Sequence, residues 1–110
     1  MFKDLDPLLH SQVRLAVMSV LLSVTTAEFS YLLEATKTTK GNLSFQLNKL
    51  NKAEYIEIKK SVKGNYPLTT CNITQKGIDA YKIYINSISE YFKLSKHQDN
   101  NPQPTNYENE

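Results

Sequence analysis

The chain has 110 residues, of which 40% are hydrophobic, and a net charge of +2, which allows one domain with a modest core. Its single cysteine excludes an internal disulfide and a cysteine-rich metal site, and we expect a cytoplasmic protein. No apolar run approaches the roughly 18 residues of a membrane-spanning helix, so no membrane partner is expected.

Positive charge is concentrated in the middle of the chain. Residues 37–76 contain eight lysines and two glutamates, a net charge of +6, whereas the whole chain carries only +2. The remaining residues are therefore acidic as a set. A basic segment inside an acidic chain is typical of proteins that bind nucleic acid.

The first predicted helix begins at Asp6-Pro7, an N-capping acid followed by proline at the first helical position, and runs to about residue 24. It is apolar on more than one side, so we expect a second subunit to cover part of it. Thr25 and Glu28 have the spacing of a capping box and predict the start of a second helix. The predicted inward residues of that helix are Phe29, Leu32 and Leu33.

A third helix is predicted to follow Thr39 as its N-cap and to reach about Lys52. Its leucines recur at helical spacing and predict one buried face, while the other face is polar and basic. Two short helices joined by a tight turn, the second with such a face, indicate a helix-turn-helix. The buried positions are Leu43, Leu47 and Leu50; the predicted base-reading residues are Lys40, Asn42, Ser44 and Phe45; and the predicted DNA-backbone contacts are Thr39, Lys49 and Lys52.

The reading roles follow from base-edge chemistry. An asparagine amide can pair with adenine, a lysine can donate to guanine, and an exposed phenylalanine can contact a thymine methyl group. The alternative for the same helix face is an ordinary solvated surface. The exposed Phe45 and the neighbouring basic hairpin favour DNA contact.

Two strands are predicted next, over residues 55–60 and 68–73, because polar and apolar residues alternate in the first and β-favouring residues fill the second. Gly64-Asn65 would supply positive φ angles at the turn, and Pro67 is expected to end the pairing. Lysines in such a hairpin can contact DNA or can simply protect a sheet edge. The predicted DNA contacts of this hairpin are Lys60, Lys63, Asn65 and Tyr66. Cys71 is expected to be a half-buried structural residue.

Thr74 is predicted to cap a fourth helix that runs to about residue 95 and carries apolar residues at alternating steps of three and four. Such a seam favours a partner helix. The predicted dimer interface is Leu15, Met18, Leu22, Ile78, Tyr81, Ile85, Ile88 and Phe92. Residues 1–96 form the predicted DNA-binding and dimerisation domain, and residues 97–110 a disordered acidic tail.

The ordered set of motifs resembles the small MarR/ArsR-like winged-helix transcriptional regulators over about residues 5–94. The matching segments are Gly41-Asn42-Leu43-Ser44 with Leu47 and Leu50, residues 55–60 followed by Gly64, Pro67 and Thr69, the run Ile73-Thr74-Gln75-Lys76-Gly77, and Arg14. The resemblance implies an α+β, mostly α, winged helix-turn-helix fold. It also implies a homodimer held by the first and last helices, which places two recognition helices in successive major grooves and the wings on the backbone or minor groove. As an alternative to a purely structural seam, the resemblance implies a cleft for an unknown small-molecule effector, lined by Tyr81, Tyr84 and Tyr91.

Some positions depart from the pattern. Glu54 stands where relatives usually have glycine, and Asn65 and Tyr66 stand where relatives often have basic residues. The ligand pairs of metal-sensing relatives are missing, so neither metal nor cofactor is expected, and no catalytic constellation indicates an enzyme. We therefore predict a sequence-specific double-stranded DNA-binding regulator, a dimeric repressor. The alternatives are a winged-helix protein-interaction module and a non-specific architectural DNA-binding protein.

Overall fold

The computed structural model describes the backbone of residues 2–99 and the side-chain environments of residues 2–93. The elements in chain order are α1 (Gln12–Ser23), β1 (Ala27–Glu28), α2 (Phe29–Thr36), α3 (Lys40–Lys52), β2 (Ile56–Lys63), β3 (Tyr66–Ile73) and α4 (Gln75–Asp99). The strands form one antiparallel sheet in the order β1-β3-β2. The predicted order of three helices, a hairpin and a long helix is confirmed, as is the mostly helical α+β class.

The core lies where α1, α2 and α3 meet the base of the sheet. Leu43, Leu47 and Leu50 are buried, as their spacing predicts, and each contributes roughly 1.5–3 kcal/mol by leaving water. Met18 is also wholly buried within the single chain. Its assignment to a dimer interface is wrong, because a side chain without exposed surface cannot contact a second copy.

Helix α1 begins later than predicted. Asp6 caps a separate turn, in which its Oδ1 accepts a hydrogen bond from the backbone N of Leu8 at 2.9 Å and its carbonyl accepts one from His10. Ser11 then adopts an extended conformation and caps α1 itself, with Oγ accepting from the backbone N of Arg14. The extended backbone of Ser11 separates the two segments, so the helix starts at Gln12 and not at Pro7.

The capping box predicted at Thr25 and Glu28 is absent. Ala27 and Glu28 instead form β1 and pair with Cys71 and Thr70 of β3. Glu28 precedes α2 with an extended backbone and makes no side-chain capping hydrogen bond. Pairing with a distant strand therefore overrides the local capping preference and anchors the start of α2 to the sheet.

Strands β2 and β3 pair from Ile56↔Ile73 to Lys63↔Tyr66, with a two-residue turn between them. Gly64 has a φ of +64°, as predicted, whereas Asn65 is not left-handed. Pro67 does not end the ladder but lies in it opposite Val62. Residue pairs in an antiparallel ladder alternately exchange and do not exchange hydrogen bonds, so a proline one step from the closing Lys63–Tyr66 pair removes no bond to β2.

The junction of α3, β2 and α4 is built around the backbone of Tyr55. Its N–H donates to the Leu50 carbonyl, and its carbonyl accepts from the Thr74 N–H, both at 3.0 Å. Glu54 is left-handed with a φ of +67°, a conformation that favours glycine. Thr74 caps α4 as predicted, with Oγ1 accepting from the backbone N of Gly77.

Helix α4 continues to Asp99, three residues into the segment predicted as the tail. The rest of that segment, residues 100–110, lies outside the described residues. Within residues 2–99, the structure contains no helix that combines the length and the apolar character needed to cross a membrane.

Candidate nucleic-acid interface

The three buried leucines of α3 orient the opposite face of the helix to solvent. Thr39 Oγ1 accepts a hydrogen bond from the backbone N of Asn42 at 3.1 Å, which confirms the predicted N-cap. Phe45 is 57% exposed, and Lys49 Nζ lies 5.2 Å from its ring centroid, a cation–π contact worth roughly 0.5–1 kcal/mol at an exposed site. The exposed residues of this face are Lys40, Gly41, Ser44, Phe45, Asn48, Lys49 and Lys52.

Asn42 differs from the other predicted reading residues. It is half-buried; its Nδ2 donates to Thr38 Oγ1 at 2.8 Å, and its Oδ1 accepts from Gln46 Nε2 at 3.0 Å. The exposed amide on this face is that of Asn48, one turn beyond Ser44. Helical spacing places Asn48 on the polar face, and it also places Thr38 and Gln46 four residues to either side of Asn42, a signal that could have identified Asn42 as engaged within the protein.

A groove of about 240 Å³ separates α3 from the hairpin of β2 and β3, which we call the wing. Apolar side chains and polar donors both line it, and none of the lining residues is acidic. The apolar residues are Phe29, Leu47 and Ile58, and the polar residues are Ser44, Asn48, Lys60 and Thr69.

Lys60 belongs to the groove because of strand periodicity. It lies two residues beyond Ile58 and four beyond the buried Ile56, so it shares their face of β2, and it pairs across the ladder with Thr69. Lys59 points to the opposite face. Two neighbouring lysines thus differ in direction, and only Lys60 faces α3.

The wing tip is exposed. Tyr66 is 76% exposed and pairs with Lys63, and the exposed Asn65 lies in the turn. Among the described residues, only Lys37 and Lys76 of the basic segment form ion pairs, with Glu34 and Glu54. The lysines between them in sequence form no ion pair with a carboxylate in the described part of the chain. These lysines are Lys40, Lys49, Lys52, Lys59, Lys60 and Lys63.

The residues predicted for dimerisation are distributed unevenly. Leu22 and Ile85 are about 40% exposed and Phe92 is 64% exposed on the outer surfaces of α1 and α4. The half-buried members of the set are Leu15, Ile78, Tyr81 and Ile88. Every residue of the predicted set except the buried Met18 therefore leaves some apolar surface exposed on α1 or α4.

The three tyrosines of the predicted effector cleft are engaged within the chain. Tyr81 OH hydrogen-bonds Ser19 Oγ at 2.8 Å, Tyr84 OH hydrogen-bonds His10 Nδ1 at 2.9 Å, and Tyr91 stacks on Phe2 with ring centroids 4.5 Å apart. Tyr84 is also almost wholly buried. They hold α1 and the N-terminal segment against α4 and do not form one open cleft.

Cys71 is completely buried, more than predicted, and burial raises the pKa of its thiol to about 11. Within the described part of the chain, no three His, Cys, Asp or Glu side chains lie close enough to hold a metal ion.

Known proteins resemble this chain in both sequence and fold. A family model described as a winged helix DNA-binding domain matches residues 13–92. An uncharacterized protein from Methanocaldococcus jannaschii is 39% identical over 87 residues, which cover 79% of this chain and 91% of that protein.

Among solved structures, a transcriptional regulator homologue from Pyrococcus horikoshii OT3 superposes with a TM-score of 0.72 at 28% identity, over 78% of this chain and 85% of the other. A transcriptional regulator assigned to the MarR family, from Enterococcus faecalis V583, shares the fold with a TM-score of 0.67 at 16% identity, over 83% and 81% of the two chains.

Proposed function

Because this chain belongs to the winged helix DNA-binding domain family, we propose that it is a sequence-specific transcriptional regulator that binds duplex DNA as a homodimer and represses by covering a promoter. The fold is that of DNA-binding transcriptional regulators, which are not enzymes. The observation that carries the proposal is the exposed, acid-free surface formed by the solvent face of α3 and the groove beside it.

Sequence reading is assigned to the exposed face of α3. Lys40 would donate to guanine O6 or N7, Phe45 would pack on a thymine methyl group, and Ser44 and Asn48 would hydrogen-bond base edges. Thr39, Lys49 and Lys52 would contact phosphates and set the register of the helix in the major groove. Asn42 would act through its contacts inside the protein.

The groove between α3 and the wing suits the DNA backbone. A deoxyribose would lie on the apolar residues Phe29 and Ile58, and a phosphate would take hydrogen bonds from Thr69 and Lys60. Lys63 would add charge at the wing tip, beside Asn65 and Tyr66. Lysine supplies a flexible point charge, which suits a phosphate better than it suits a planar base edge.

Dimerisation would cover the apolar surface left on α1 and α4. Leu22, Ile85 and Phe92 expose large side chains on these helices, and a second copy would bury them. A two-fold dimer would present two α3 helices to a pseudo-palindromic site about one helical turn apart. Ile85→Glu should therefore give a monomer that binds a full site more weakly, which sedimentation velocity and binding titrations measure together.

The first test is fluorescence anisotropy of the purified chain with labelled duplex from its own upstream region, titrated in salt. Binding that resists competitor random DNA and weakens steeply with salt supports a sequence-specific regulator. Binding abolished by the competitor supports the non-specific architectural alternative instead. No binding at low salt overturns the proposal and leaves the protein-interaction alternative.

Phe45→Ala gives the matched check on base reading, because it removes an exposed side chain without changing charge. It should weaken binding to the preferred site about 10-fold and leave random duplex unchanged, as expected for a contact that discriminates between bases by ~1–3 kcal/mol. Equal loss on both duplexes would show that Phe45 does not read sequence.

A further inference from the structure

A continuous line of hydrogen bonds connects the turn before α1 with the turn before α3. Arg14 Nε donates to the Leu8 carbonyl at 2.6 Å, and its Nη1 donates to Gln46 Oε1. Gln46 Nε2 donates to Asn42 Oδ1 at 3.0 Å, and Asn42 Nδ2 donates to Thr38 Oγ1 at 2.8 Å. One guanidinium thus reaches, through two amides on α3, the residue before the N-cap of that helix.

The turn that receives Arg14 is itself held on two other sides. Tyr55 OH donates to Asp6 Oδ2 at 2.6 Å, and His10 Nδ1 hydrogen-bonds Tyr84 OH of α4 at 2.9 Å. Tyr55 follows α3 in the chain, so the turn is tied close to the C-terminal end of α3 as well as to its N-terminal half through Arg14. The turn that Arg14 contacts is therefore fixed relative to both ends of α3.

We propose that Arg14 is a positioning residue for sequence reading, an inference that rests on the proposed function. Arg14 is half-buried, and its two side-chain hydrogen bonds point into the protein. It acts on DNA only by setting the orientation of α3. The planar guanidinium holds Nε and Nη1 in a fixed relative geometry, which the flexible ammonium of lysine does not reproduce.

Base reading and phosphate contact should respond differently to a loss of this orientation. Hydrogen bonds to base edges require placement within about 0.5 Å, so a small shift of α3 removes discrimination. Lysine–phosphate contacts tolerate such a shift, because the long side chains adjust. A defect at Arg14 should therefore reduce specificity more than non-specific affinity.

The test uses the full chain and a pool of random-sequence duplexes. The wild-type protein selects its preferred site from the pool, and affinities for that site and for random duplex are then measured. Arg14→Lys, which keeps the charge, should lower the ratio of the two affinities about 10-fold and leave the affinity for random duplex unchanged. Gln12→Ala, an exposed position on the same helix, is the matched control and should leave the ratio unchanged.

Gln46→Leu removes the next member of the network and keeps the inference testable if Arg14→Lys folds poorly. It should lower the same ratio, and the double variant should lose no more than either single variant, because both act through one contact. Losses that add in full, or an unchanged ratio with only a lower melting temperature, would overturn the role of Arg14. A wild-type protein that enriches no site would overturn the proposed function, and with it this inference, before any variant is compared.

Discussion

The phenolic hydroxyl of Tyr55 donates a hydrogen bond to Asp6 Oδ2 over 2.6 Å, across 49 residues of sequence. The backbone carbonyl of Tyr55 also accepts the N–H of Thr74, the cap of α4. The segment between α3 and the wing therefore contacts both the turn before α1 and the start of α4. This arrangement fixes the base of the wing relative to both the turn before α1 and helix α4.

Tyr55→Phe should lower the free energy of unfolding by about 1–3 kcal/mol at pH 7, because a hydrogen bond to a carboxylate is lost. Burial first, and then the hydrogen bond and charge of Asp6, raise the pKa of Tyr55 to about 12. The unfolded value is about 10, so this contribution is complete below pH 10 and is lost as the pH rises toward 12.

Urea unfolding of the wild type and of Tyr55→Phe over this pH range checks both statements. The difference between the two proteins should stay constant from pH 7 to about 9 and then narrow. A difference that widens above pH 10, or that is absent at pH 7, would contradict the role given to this bond.

Gly77→Ala should destabilise the protein strongly. A Cβ at this position would overlap the carbonyl oxygen of Tyr55 and would lie 3.0 Å from Ile73 Cγ1, and a backbone atom cannot move aside cheaply. We expect a loss of about 3 kcal/mol or more, as for other overpacked sites. Thermal unfolding followed by circular dichroism measures it.

Gly41→Ala is the control, because a Cβ there meets no atom within 4 Å and Gly41 lies in α3. It should stabilise the helix by roughly 0.5–1 kcal/mol. Equal melting temperatures for the two variants would refute the close contact at Gly77.

Lys60→Met and Lys59→Met remove the same charge from neighbouring positions that face opposite ways. If Lys60 holds a phosphate in the groove, its loss should reduce the slope of log affinity against log salt by ~0.9 and weaken binding to all duplexes alike. Lys59→Met should change the slope far less. Salt titrations of both variants measure whether Lys60 contacts a phosphate. Identical slopes would show that the groove is not the phosphate site.

Cys71 should be inert in the folded protein. The thiolate is the reactive form, and burial raises the pKa of this thiol to about 11, well above the ordinary value of about 8.5. Since the folded pKa is the higher one, the stability linked to this group is complete below pH 8.5 and is lost as the pH rises toward 11.

Ellman's reagent at pH 8 should therefore label the native protein much more slowly than the urea-unfolded protein. DNA affinity should also be unchanged by thiol oxidants. Rapid native labelling would instead make Cys71 a candidate redox switch.

Several features of this protein follow from its sequence alone, because they depend on residues a few positions apart. The spacing of Leu43, Leu47 and Leu50 determines which face of α3 is buried, Thr39 and Thr74 cap the helices that follow them, and Gly64 supplies the left-handed turn residue. These local signals, in chain order, predict the winged-helix layout, and the eight lysines of residues 37–76 predict its basic surface.

The tertiary structure alone decided the features that depend on distant partners. Strand β1 has only two residues and exists because Thr70 and Cys71 pair with it, against the local preference for a helix cap. Gln46 accepts a hydrogen bond from Arg14 of another helix, 32 residues away in sequence, and through Gln46 the side chain of Asn42 joins the same network. Met18 lies in the core because α1 packs on the rest of the fold. The sequence pattern shows which face of its helix or strand a residue occupies, but only the folded chain shows which atoms of distant segments that residue contacts.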